Sequence, residues 1–548
     1  MKLKMKVIVN IFFATLMIVF VASSGWIGSE KVLAAAKDTL VVAYSALPPS
    51  VNSEVGLSNI GCQLYINLTE TLISYATKPS QKNEDVTVLD YSMAVPDLAE
   101  SYEVSEDGKT ITIRLRKGIL SPYGNEFTTK DVIWKWERGL RMKTNAAFYA
   151  GVLDFLETGM DAFKVIDDYT FSITANNPNP LLVDINCLHE VAGFLDSIEA
   201  QKQIDASGDP TGLEYFAHNA PSFAPYYITE WTSGQQAVFE ANPNYYGGLP
   251  EIKKIIIKVV PDSFSRLAMI KDGTIDVAYE LNPREIKSLE GTPGVRLIAE
   301  EGVWCSHLVM NDLACEPFKN KLVRQAVNYA IDRDKIIKMA YLGMASWMLP
   351  YQRQFAGVID PKEFPYYYNL EKAKELMVEA GYPDGFSVDL YYESGITTHE
   401  TACVIIRENL AEIGIDVQLR KTPVGSLYNL LQGLKAPFAL WRESPYVSDP
   451  FYALNMWYQS GPIHGGTGRV NFSGYSNPQV DKLLADGKSL FGKERFENYY
   501  EVQRLVLEDA PIGFVVQDNY LVAINDKIEG WNIGIAEGTK FDKLSFRE

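Results

Sequence analysis

Two hydrophobic periods alternate along the chain. At 110–116, Thr-Ile-Thr-Ile-Arg-Leu-Arg repeats every second residue and puts Ile111, Ile113 and Leu115 on one face of a strand. Asp107-Gly108 supplies the turn of a hairpin over 101–119, and "FTTKDVIWKWERGL" follows with a threonine cap and the helical period. Over 226–280 the order is strand, strand, helix, strand. "YYITEW" and "QAVFE" pair around Ser233-Gly234, and "KKIIIKVV" reads as a fully buried strand ending at Pro261-Asp262. "SFSRLAMIKDG" is an amphipathic helix stopped at Gly273, and "TIDVAY" returns to the sheet. "LVRQAVNYAI" is helical, and Asp332 starts the next helix, which Gly343 ends. Between 371 and 421 lie a helix closed by Gly381, the strand "FSVDLYY", a helix ended at Gly414 and the strand "IDVQLRK". Strand–helix–strand at this spacing predicts a crossover joining two parallel strands. Helices and strands alternate on both sides of residue 300, which predicts an α/β fold.

The first 36 residues stand apart from this pattern. "MKLKMK" is basic, "VIVNIFFATLMIVFVA" is a short apolar run, and "LAAA" at 33–36 offers a small-residue cleavage site, so a secretory signal cut after Ala36 is expected, with a retained anchor as the alternative. No cysteine near that site offers a point for lipid attachment. Removing the segment takes away four Lys and one Glu and moves the formal charge of the 548-residue chain from −18 to −21. So acidic a surface repels nucleic acid and anionic lipid. At this length two or three domains are expected.

Chemistry-bearing motifs are scarce. The five histidines lack metal spacing, and there is neither a C-x-x-C pair nor a G-x-S-x-G elbow. "GPIHGGTGR" at 461–469 has the glycines of a phosphate loop without its Gly-Lys-Ser/Thr ending, and is expected to be a surface loop. Carboxylates are abundant throughout, so a pair of them does not argue for a hydrolase, and no cofactor is implied. Five cysteines (62, 187, 305, 315 and 403) leave at least one thiol unpaired, with a Cys305–Cys315 bridge open. The chain has the make-up of a binder. Its densest aromatic stretch is "LWRESPYVSDPFYALNMWYQSG" at 440–461, where rings beside Arg442, Glu443 and Asp449 suit the wall of a ligand site.

Six blocks carry a resemblance. They are "PDLAESYEVSEDGKTITIRLRKGI…GNEFTTKDVIWKWER", "EWTSGQQAVFEANPNYYGGLPEIKKIIIKVVPD", "VRQAVNYAIDRDKIIKMAYLGMA", "EKAKELMVEAGYPDGF", "ENLAEIGIDVQL" and "YSNPQVDKLL…ENYYEVQRLVLEDAPIGFVV". In this order, from about residue 65 to 531, they resemble the family 5 extracellular solute-binding proteins of ABC importers, the group of oligopeptide, dipeptide and nickel receptors. The resemblance implies a two-lobed α/β fold of the periplasmic-binding-protein type (type II, cluster C-like), with an extra subdomain in the first lobe. The first lobe is then 37–80, 205–300 and 514–548, the added subdomain 81–204 and the second lobe 301–513. It also implies a monomer that closes over its ligand and docks on a membrane permease served by ATPase subunits.

The chain departs from the family pattern in places. "SFAPYY" at 222–227 replaces the usual Gly-Thr-Gly-Pro-Tyr, and "WRESPYVSDP" is two residues longer than its counterpart. The position where dipeptide receptors carry an arginine that clamps the peptide carboxylate is Glu393 here. That sign reversal disfavours a free dipeptide and favours cationic or neutral groups. The ligand set that follows from the resemblance is Tyr44, Trp304, Ser306, Glu393, Trp441, Glu443, Tyr446 and Asp449, with Trp457 and Tyr458 as helix core. The expected ligand is a peptide longer than two residues. The alternatives are an oligosaccharide on the same fold and, as a different class, a secreted hydrolase.

Overall fold

The computed structural model describes residues 37–55, 59–445, 447–461 and 470–548. The expected leader at 1–36, Tyr446 and the glycine loop at 462–469 lie outside them. One eleven-stranded mixed sheet carries the architecture. Its order is Ile415–Thr422, Phe386–Glu393, Phe438–Glu443, Val295–Met310, Ile512–Asn525, Val277–Ala278, Thr39–Tyr44, Lys254–Val259, Gln236–Ala241 and Tyr226–Thr232, with Ala345–Trp347 paired onto Ile512–Asn525 off this path.

Val295–Met310 and Ile512–Asn525 run antiparallel and tie the two halves of the sheet together. Residues 295–301 pair with 519–525 in one half, and 305–309 pair with 512–517 in the other. Between them the register shifts, so that 302–304 face Asp518 alone. A bulge of this kind bends a strand and re-aims its side chains. Residue 302 must be glycine, because a Cβ there would lie 2.5 Å from the Asp518 carbonyl oxygen and 2.6 Å from Glu537 Oε1.

Register also fixes strand direction at the crossover. Thr39–Tyr44 is parallel to Val277–Ala278, which runs antiparallel to Ile512–Asn525 and so ends toward the bulge. Phe438–Glu443 is antiparallel to Val295–Met310 and parallel to Phe386–Glu393, so these two also end there. Phe386–Glu393 and Ile415–Thr422 form the expected parallel pair around the helix Thr397–Ala411. That helix packs Ala402, Cys403, Ile406 and Leu410 against Leu390 and Val417. Truncating one of these buried leucines to alanine costs about 2–5 kcal/mol.

A separate four-stranded sheet, Ala99–Val104, Thr110–Leu115, Thr170–Thr174 and Phe163–Asp167, contains the predicted hairpin. Beside it the helix Thr129–Met142 starts at a reciprocal Thr128–Asp131 capping box, a feature worth about 1 kcal/mol. Three sequence readings need correction. Lys254–Val259 is buried at Ile255 and Ile257 while Lys254, Ile256, Lys258 and Val259 stay half-buried, so its apolar run covers one face rather than two. The strand read from "TIDVAY" shortens to Val277–Ala278. All five cysteines are buried and none is in a disulfide, so Cys305 and Cys315 form no bridge.

Candidate functional site

Strands of both halves end at the crossover, and in open α/β sheets ligands bind beyond the carboxyl ends of strands. Four elements bring polar groups to this point. Ser306 pairs in register with Arg442, and strand alternation puts both on the face that carries Leu308 and Leu440. The Arg442 guanidinium lies over the Trp304 ring at 4.8 Å and 3.8 Å from Asp518. The Ser306 hydroxyl donates to Asp518 Oδ1 at 3.3 Å and lies 3.2 Å from His399 Nε2, at the start of the helix Thr397–Ala411. From the C-terminal tail, Glu537 accepts the Val303 N–H at 2.9 Å. Ala536 and Glu537 both hold left-handed backbone, with φ of 53° and 62°. Non-glycine residues pay about 1–2 kcal/mol each for that conformation, which here aims the Glu537 carboxyl at the crossover.

The electrostatics follow from burial. It pushes Asp518 up to about 6 and Glu537 up to about 7, while the Arg442 charge opposes both shifts. Burial also raises Glu393, again against Arg442. His399 is driven down to about 3 by burial, with Arg442 and His307 adding to the shift, so it is neutral at pH 7. The Trp304 indole N–H and His399 Nδ1 are buried without a hydrogen-bond partner.

Among the expected site residues, Trp304, Ser306 and Glu393 meet in this cluster. Trp441 does not. It pairs in register with His307 on the opposite face and packs between Tyr428 and Phe472, at ring distances of 6.0 and 6.2 Å. Glu443 shares that face. It accepts the Trp457 indole N–H at 3.0 Å, and burial raises it to about 8, so it is an uncharged core group rather than an orienting charge. Asp449 caps the helix Pro450–Tyr458 and is held by Arg495 through two contacts of 2.6 and 3.0 Å. Tyr44 is fully buried in the first half, stacked on Tyr279 at 4.6 Å. Trp457 and Tyr458 are helix core as expected. Tyr446 lies outside the described residues.

Arg442, Asp518, Glu537 and His399 were missing from the expected set. Alternation along "LWRE" shows that Trp441 and Arg442 face opposite ways, but not which of them faces the crevice. Val303 and Glu537 also line a cavity of about 710 Å³. It is walled by 78–82 and 88–92 from one half and by Gln354, Ser448, Asp449 and Phe496 from the other. That volume lies within the usual range for small-ligand pockets.

Residues 94–465 match the family model for bacterial extracellular solute-binding proteins, family 5. The glutathione-binding protein GsiB of Pectobacterium atrosepticum is 28% identical over 451 residues, covering 80% of this chain and 82% of the relative. The DppA periplasmic binding protein of Helicobacter pylori, solved with the peptide STSA, superposes with a TM-score of 0.78 at 25% identity, covering 93% of this chain and 98% of that one. The CtaP substrate-binding protein of Listeria monocytogenes superposes with a TM-score of 0.79 at 21% identity, covering 94% and 100%.

Proposed function

The chain belongs to the bacterial extracellular solute-binding proteins, family 5, and from that premise we propose that it is an exported peptide receptor of an ABC importer. It holds a peptide longer than two residues at the crossover and passes it to a membrane permease driven by ATPase subunits. The leader at 1–36 directs export, and the segments near 300 and 514 act as hinges. One observation carries the peptide reading: a cavity of about 710 Å³ between the two halves is lined by side chains of both signs, Lys78 and Lys82 as well as Glu301 and Glu537. A peptide is zwitterionic and needs both signs of charge, whereas a neutral oligosaccharide needs neither. The peptide complex of the H. pylori relative and the glutathione-binding relatives support the same class.

A thermal-shift screen tests this. A ligand at a hundred times its dissociation constant adds about 2.7 kcal/mol of stability. Peptides of three to six residues are expected to raise the melting temperature of the mature protein and to be recovered intact. A shift with oligosaccharides alone would overturn the assignment, and hydrolysis of the bound peptide would move the protein to another class.

A further inference from the structure

Arg442 is placed among carboxylates without being fastened to them. Glu393 ends one strand, Asp518 opposes the bulge, and Glu537 reaches in from the tail, so three different elements present acid groups to one guanidinium. The Arg442 charge acts on all three, against the burial that raises each of them. Yet its nearest carboxylate oxygen is 3.8 Å away, its side chain is 33% exposed, and it rests on the flat face of Trp304. A guanidinium carries five N–H donors, and among the described residues none of those of Arg442 makes a hydrogen bond to a protein acceptor. A second observation points to a visiting group. The His399 side chain, only 1% exposed, lies beside Ser306 and leaves its Nδ1 without a hydrogen-bond partner.

We propose that Arg442 is a resident counter-ion that the ligand displaces: Glu393, Asp518 and Glu537 receive a cationic side chain of the bound peptide, that of a lysine or an arginine, while Arg442 slides off along Trp304 toward solvent. This rests on the peptide reading above for the identity of the ligand, but not for the exchange itself. The physical advantage lies in the order of costs. Desolvating three carboxylates is expensive, and a folded protein that keeps them beside its own cation has already met that cost before the ligand arrives. Exchanging one cation for another leaves the charge of the site unchanged. A peptide bringing an anion to the same place would face three like charges, so the arrangement also selects against acidic side chains.

Two measurements test this separately. In the first, Arg442→Ala is melted in millimolar ethylguanidinium chloride and in sodium chloride of equal ionic strength. The small cation should refill the vacated place and raise the melting temperature of the variant but not of the wild type; equal melting in both salts overturns the counter-ion assignment. In the second, Arg442→Gln and wild type are titrated calorimetrically with the tripeptides Ala-Lys-Ala, Ala-Ala-Ala and Ala-Glu-Ala. Removing the competitor should tighten Ala-Lys-Ala about tenfold, equivalent to about 1.4 kcal/mol, and leave Ala-Ala-Ala unchanged. Weaker binding of Ala-Glu-Ala with no gain for Ala-Lys-Ala means that Arg442 grips a ligand anion, which overturns the proposal. Glu537→Gln should in turn weaken Ala-Lys-Ala. If the salt measurement succeeds while no tripeptide binds either protein, the peptide reading fails and the counter-ion stands. If tripeptides bind but ethylguanidinium has no effect, the reverse holds.

Discussion

Lys540 and Arg442 each face three carboxylates, and the two settings differ in every other respect. Lys540 acts on Glu70, Asp97 and Asp542 in the first half of the molecule. Its ammonium lies 2.7 Å from Glu70 Oε2, the Tyr245 hydroxyl donates to Glu70 Oε1 at 2.9 Å, and the Tyr246 hydroxyl donates to Asp97. Glu70 itself is fully buried. Arg442 keeps 3.8 Å from Asp518 and a third of its side chain in solvent. The same kinds of residue thus build a locked joint in one place and an unfastened charge in the other. Location decides between them: the Lys540 cluster ties the C-terminal tail onto the loop that follows the helix Asn59–Tyr65, whereas Arg442 sits where strands of both halves end.

Breaking the locked joint should have the largest effect. Lys540→Met leaves Glu70 buried without its cation, and removing one partner of a buried pair typically costs about 3–5 kcal/mol. Urea denaturation should show that loss; a cost below about 1 kcal/mol would mean that the pair is not the joint described here. Trp441→Ala comes next. Its half-buried ring fills the space between Tyr428 and Phe472, so truncation should cost about 2–3 kcal/mol, at or below the low end for a buried tryptophan, with ligand affinity unchanged. Loss of affinity with unchanged stability would return Trp441 to the ligand wall.

The sequence made the fold more legible than the site, for a physical reason. Alternation at 110–116, the Asp107-Gly108 turn and the glycine stops at 381 and 414 are local signals, and local sterics enforce them. The site is assembled from residues 304–306, 393–399, 442, 518 and 537, brought together by the pairing of two strands more than two hundred residues apart. No local pattern records that pairing. The expectation at 440–449 grouped Trp441 with Glu443 on one face, which the strand period supports, but assigned that face to the crevice. The elements that cover it are the helix Val424–Gln432, just upstream, and the segment around Phe472, well downstream, and no period within the strand announces either. Asp449 lines the cavity but is already engaged, and its engagement is hidden in the sequence for a different reason. A helix cap and a ligand carboxylate look alike in sequence, and Arg495, which holds it, lies 46 residues away.

Glu443 offers a smaller test, through pH. Burial raises its folded-state value to about 8 from an ordinary one near 4.5. The unfolded chain therefore releases this proton first as pH rises, and the folded state loses stability between about pH 5 and pH 8. Glu443→Gln cannot titrate and keeps an acceptor for the Trp457 indole N–H. Melting curves at several pH values should show the wild type falling relative to this variant by about 1–2 kcal/mol over that window, less than full burial would give because Glu443 retains some solvent contact. Parallel pH profiles would place a charged Glu443 carboxylate in solvent and undo its assignment to the core.

The smallest expected effect belongs to Arg442. Near pH 5 Asp518 and Glu537, raised to about 6 and 7, are mostly protonated, so a cation beside them contributes little. Above pH 7 they ionise in the folded protein against the cost of burial, and Arg442 is what offsets that cost. Taking it away raises both groups further, so the variant loses more stability than the wild type as pH climbs. Arg442→Gln should therefore be nearly neutral at pH 5 and cost about 1 kcal/mol at pH 8, the size expected for a loosely paired and partly exposed charge. The contrast with Lys540 is sharpest here. A loss of about 3–5 kcal/mol at both pH values would mean that Arg442 is a second locked joint, and a charge fastened so firmly would not give way to a ligand.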